Sequence, residues 1–151
     1  MPTLFDELKA LLRQLEADEI EYALCGGLAL AIHGLPRATV DIDLLLRSED
    51  WERMQKAAKK LGFNLPASPM HFGGGKVEIR RVSKIHQQQV LTLDALLVTP
   101  ALEEIWASRQ QLPWENGQVW VISRAGLISL KKISGRPQDL ADIARLSEPT
   151  K

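Results

Sequence analysis

Asp41-Ile42-Asp43 runs directly into Leu44-Leu45-Leu46, and no other stretch of the chain restricts its fold as much. The segment predicts a strand over 41–46. In a strand, residues i and i+2 share a face, so both carboxylates project the same way, about 7 Å apart along the backbone. Ile42 and Leu44 take the other face. Two like charges in an apolar setting raise each other's proton affinity, and burying either uncompensated is costly. A divalent cation reverses this, because it prefers oxygen ligands and holds both acids ionised. Solvation at a strand end, or pairing with an arginine such as Arg37, is the other resolution.

Two further features bear on that choice. Gly26-Gly27 lies between a predicted strand (20–24) and a predicted short helix (28–33), where glycines let backbone N–H groups approach an anion. Asp94 is the one acid inside the otherwise apolar strand "VLTLDALLV", residues 90–98. A solvated side chain there is hard to reconcile with its neighbours; a satisfied core acid or an edge position is the alternative to a functional role.

The periodicity predicts helices over 3–18, 49–61, 100–108, 124–133 and 137–147. A further strand is expected over 76–82, with Val77 and Ile79 inward, and a hairpin around Asn116-Gly117. Residues 64–75 read as a loop by composition. The element order implies an α+β fold, a mixed β-sheet with helices packed against it, in a single domain over 1–151.

The chain has one cysteine, Cys25, so neither an internal disulfide nor a cysteine-rich metal site is expected. That fits a reducing cytoplasm. No long apolar run marks a signal peptide or a membrane span. A formal net charge of zero excludes a binder that relies on many phosphate contacts along nucleic acid. It leaves room for a small basic pocket. His33, Cys25 and the tryptophans read as packed side chains. His71 and His86 lack partners at zinc spacing. Gly73-Gly74-Gly75 reads as a loop before it reads as a phosphate contact.

The order strand, Gly-Gly, helix, Asp-x-Asp strand and later acid-bearing strand is far more specific than its parts. "YALCGGLALAIHGLPRATVDIDLLL" resembles the signature of the nucleotidyltransferase superfamily, the DNA polymerase β-like fold. The "RATVDID" segment and the C-terminal "GRPQDLADIARL" are most similar to the branch containing AbiEii-type toxins of bacterial type IV toxin–antitoxin systems. The resemblance implies an Mg²⁺- (or Mn²⁺-) dependent nucleotidyltransferase that moves a nucleoside monophosphate from an NTP to a hydroxyl on RNA, protein or a small molecule. It also implies an antitoxin as partner.

By position, the resemblance makes Asp41, Asp43 and Asp94 the metal-binding and catalytic acids. Gly26 and Gly27 would cradle the triphosphate. Lys131 would reach phosphate, with Asp139 orienting it. Arg37 and Thr39 belong to the motif and would position the aspartate strand. The basic stretch holding Arg124, Lys131, Lys132 and Arg136 is either a solvated helix face or a phosphate- or RNA-facing rim. One departure concerns the residue after the glycines: relatives commonly carry Ser or Thr there, and this chain has Leu28. With the short length of the chain, Leu28 supports the alternative reading, a catalytically inactive nucleotide- or partner-binding module on the same fold.

Overall fold

A computed structural model describes residues 3–35, 41–135 and 137–147. Thr3 opens α1 (Leu4–Ala17) with a capping box: its hydroxyl accepts from the Asp6 amide while its own amide donates to the Asp6 carboxylate. Leu8, Leu11, Leu12 and Leu15 form the buried stripe of this helix. β1 (Ala23–Cys25) leads without a break into α2 (Gly26–Ile32). β2 (Asp41–Leu46) is followed by α3 (Trp51–Lys60) and by the short strands β3 (Leu65–Pro66) and β4 (Met70–Phe72). The long hairpin of β5 (Val77–His86) and β6 (Gln89–Leu97) comes next, then α4 (Glu103–Ala107). A second hairpin, β7 (Gln110–Trp114) and β8 (Gly117–Val121), precedes the helix pair α5 (Arg124–Ser134) and α6 (Pro137–Leu146).

The strands form one sheet in the order β3-β5-β6-β2-β1-β8-β7, with β4 also paired to β5. β2 runs parallel to β6, and β1 parallel to β8; the remaining pairs are antiparallel. The expected mixed sheet with helices against it is therefore observed. Its centre is dry: Leu24, Ile42, Leu44, Leu45, Leu46, Leu93 and Ala95 are fully buried.

The structure corrects several boundaries. The segment 64–75 is not all loop, because β3 and β4 pair with β5 within it. Pro66 hides β3 from a composition-based reading, yet a proline is tolerated on a short edge strand. β5 extends to His86, beyond the expected 82, and turns through Gln87 and Gln88, both at positive φ (50° and 68°). Such a turn normally carries Asn-Gly or Gly, so it leaves no signal here. The helix expected over 100–108 is a 3-10 turn, Pro100–Leu102, running into the shorter α4.

On the face opposite the aspartates, Lys84 of β5 binds α1 to the end of α3. Its ammonium donates to Glu7 Oε2 at 2.6 Å and to the Leu61 carbonyl at 3.0 Å, and it lies 4.9 Å from the Phe63 ring centroid. Both side chains are largely buried, so removing one partner strands the other. Glu7→Ala is expected to lower the unfolding free energy by about 3 kcal/mol in urea titration, while Glu7→Gln, which keeps an acceptor, costs less.

Candidate active site

Strand register assembles the site. β2 and β6 pair so that Asp43 stands opposite Asp94 and Asp41 opposite Thr92. β5 places Arg81 opposite Asp94, and β1 places Cys25 opposite Asp43. Arg81, Asp94, Asp43 and Cys25 thus form one row across four strands and share a face. Asp41 lies one pleat further along that face, in the row of Thr92 and Ser83. The three acids expected from the sequence converge, although about fifty residues of chain separate Asp43 from Asp94.

The acids differ in surroundings. Asp94 is 5% exposed, while Asp41 and Asp43 are half-buried. Burial pushes the Asp41 carboxyl above its ordinary range, with the nearby Asp94 charge adding to the rise and Arg81 opposing it. Asp94 is gripped by Arg81: Nε donates to Oδ1 at 2.7 Å and Nη2 to Oδ2 at 3.0 Å, a bidentate fork. Arg81 was not among the residues singled out from the sequence. The signal lies in strand pairing across the β5–β6 hairpin, which a linear reading does not supply.

Gly26 closes the site beside Asp43. Its φ is +69°, and a β-carbon built on it would lie 2.1 Å from Asp43 Oδ2. Only glycine fits here, on both backbone and space grounds. Gly26 and Gly27 are the first residues of α2, not a turn ahead of it as expected. Cys25, before them, is fully enclosed; burial pushes its thiol well up, Asp43 and Asp94 add to the shift, and Lys131 draws it back.

The C-terminal helices carry the remaining residues singled out from the sequence. Lys131, on α5, is largely buried, as are Asp139 and Asp142 on α6. Its ammonium hydrogen-bonds Asp142 Oδ2 at 2.9 Å and lies 3.6 Å from Asp139 Oδ1. The sequence pointed to Asp139 as the orienting acid; the closer partner is Asp142, three residues on and therefore on the same side of α6. Arg124 donates to the Leu146 carbonyl at 2.9 Å and so ties α5 to the end of α6. His33 is packed, its Nε2 lying 2.8 Å from the Ile122 carbonyl. Gly73 presses against the Ile133 carbonyl of α5, where a β-carbon would come within 2.5 Å. Arg37, Thr39 and Arg136 lie outside the described residues.

The donor set can be tested against a divalent ion. Asp41 and Asp43 offer hard carboxylate oxygens on one face, and the charge repulsion felt at Asp41 is of the kind a cation relieves. They fit such an ion. Among the described residues, no group of three or more potential ligands stands ready to hold one, and both Asp94 oxygens are already engaged by Arg81.

The architecture matches solved structures of one class. TM1012 from Thermotoga maritima, named as a nucleotidyltransferase, superposes with a TM-score of 0.68 at 12% identity, over 91% of this chain and 88% of that one. ANT(2'')-Ia in complex with adenylyl-2''-tobramycin superposes with a TM-score of 0.62 at 14% identity, over 92% and 84%. At these identities the likeness defines the fold, that of the nucleotidyltransferases. The sequence profile of the AbiEii nucleotidyl transferase toxins of type IV toxin–antitoxin systems matches residues 9–150, and the chain belongs to that family. No curated protein is a significant match. Among the described residues, no helix is long and apolar enough to cross a membrane.

Two outcomes test this geometry. Gly26→Ala is expected to lower the melting temperature through a left-handed backbone penalty of about 1–2 kcal/mol plus displacement of Asp43. Gly117→Ala, with open space around it, leaves the melt unchanged. Cys25 is expected to resist alkylation in mildly alkaline buffer and to label fully once the protein is unfolded in urea, read by intact mass.

Proposed function

We propose that this chain transfers a nucleoside monophosphate from an NTP to a hydroxyl group and releases pyrophosphate. The observation that carries the reading is the register of β2 on β6, which sets Asp41, Asp43 and Asp94 on one face beside the Gly26 bend. Membership of a nucleotidyltransferase family supports it. In this reading Asp41 and Asp43 would hold a divalent cation, Mg²⁺ or Mn²⁺, which when bound supplies neutralising charge to the phosphates.

The protein's task is positioning and charge stabilisation. The backbone amides of Gly26 and Gly27 hold the triphosphate, and Leu28 contributes no hydroxyl to that grip. Lys131, fixed by Asp142 and Asp139, adds positive charge from the α5 side. As the acceptor oxygen bonds to the α-phosphorus, the bond from that phosphorus to the bridging oxygen breaks. The proton of the acceptor hydroxyl passes to Asp94, whose carboxylate can accept further hydrogen bonds beyond the two from Arg81. The acceptor hydroxyl belongs to an RNA, a protein or a small molecule. The family's place in toxin–antitoxin systems supports toxin action restrained by an antitoxin, and a cytoplasmic setting suits the single reduced cysteine.

The bidentate hold on Asp94, together with Leu28, favours a second reading, a module that binds nucleotide without turnover. It predicts thermal stabilisation by an NTP with no pyrophosphate release; a ligand at 100 times its Kd adds about 2.7 kcal/mol. For the enzyme, labelled NTPs with Mg²⁺ are expected to label acceptors in extracts with wild-type protein. The Asp41→Ala/Asp43→Ala variant is expected to reduce this to background. Equal incorporation by both proteins ends the proposal.

A further inference from the structure

The third acid of the site, Asp94, is held by an arginine on the neighbouring strand. Arg81 faces Asp94 directly across the β5–β6 ladder, so backbone register sets the pair, not a chance side-chain encounter. The guanidinium engages both carboxylate oxygens, at 2.7 and 3.0 Å. The Asp94 side chain is 7% exposed and that of Arg81 is 38% exposed, so the carboxylate is enclosed while part of the guanidinium remains reachable from solvent. The Arg81 charge also acts on Asp41 and Asp43, so it lies within the field of all three acids. Among the described residues, the acids of this face do not form a three-ligand group able to hold a metal.

Taking Asp41 and Asp43 as a divalent-cation site, as read above, we propose that Arg81 supplies the positive charge a second cation would bring beside Asp94, so that the chain works with a single bound metal ion. The chemistry suits the role. An arginine stays charged at any working pH, and it cannot dissociate as a metal ion can. Its planar fork matches a carboxylate on one edge, and it has more N–H donors than Asp94 takes up. Those donors suit phosphate oxygens, which guanidinium groups also bind in pairs. Arg81 is thus a binding residue of the nucleotide site as well as the holder of Asp94.

The count of bound metal ions tests this without reference to turnover. Mn²⁺ is titrated into full-length protein with the α,β-methylene analogues of ATP, GTP, CTP and UTP in turn, and bound ions are counted by electron paramagnetic resonance. Wild-type protein is expected to hold one Mn²⁺ per chain. Arg81→Gln, which frees the Asp94 carboxylate, is expected to hold two, and Arg81→Gln/Asp94→Asn to return to one. Two ions on the wild type, or one ion on a folded Arg81→Gln variant, overturns the role of Arg81 and leaves the metal-dependent reading standing. No bound Mn²⁺ on the wild type overturns both. If thermal melts show that Arg81→Gln does not fold, the wild-type count decides: one supports the proposal and two defeats it.

Discussion

The parallel pairing of β2 with β6 carries the whole arrangement. Six successive residues of each strand align, from Asp41 with Thr92 to Leu46 with Leu97. On the face away from the acids, Ile42, Leu44, Leu46, Leu93 and Ala95 are fully buried. A slip by one residue would turn these side chains to the wrong face and drive the acids into the core. The burial that stabilises the centre of the sheet therefore also sets Asp43 beside Asp94. Stability and site geometry rest on the same contact, and neither can shift without the other.

Around this ladder, charge is balanced locally. Arg81 offsets Asp94 within the sheet, and Lys131 is matched by Asp139 and Asp142 between α5 and α6. Removing either acid would leave the buried ammonium with a weaker set of hydrogen-bond acceptors. The Lys131 charge also draws down the Cys25 thiol at the β1–α2 junction. The Gly26 backbone, pressed against Asp43, completes the enclosure. These contacts come from segments distant in the chain, which makes the site a product of domain packing and not of any single motif.

Much of this was readable in advance. The leucine stripe of α1, the Asp-x-Asp strand, the short helix next to the glycine pair and the two C-terminal helices each leave a local imprint of period, composition or capping. Asp94 stood out because a lone acid inside an apolar strand is costly unless something answers its charge. The parts that escaped detection are those without local signal. β3 contains a proline, the β5–β6 turn uses glutamines at positive φ, and Asp142 looks like any other acid on an amphipathic helix.

What the amino-acid order determined by itself was the inventory: an α+β domain, two carboxylates on one strand face, a permissive glycine bend, and an acid that had to be answered. What only the tertiary structure decided was the answer. Arg81 meets Asp94, and Asp142 outcompetes Asp139 for Lys131, because sheet register and helix packing choose partners by position in space. Local preferences act over a few residues, whereas charge pairing in a buried site is settled only when distant strands and helices have closed around it.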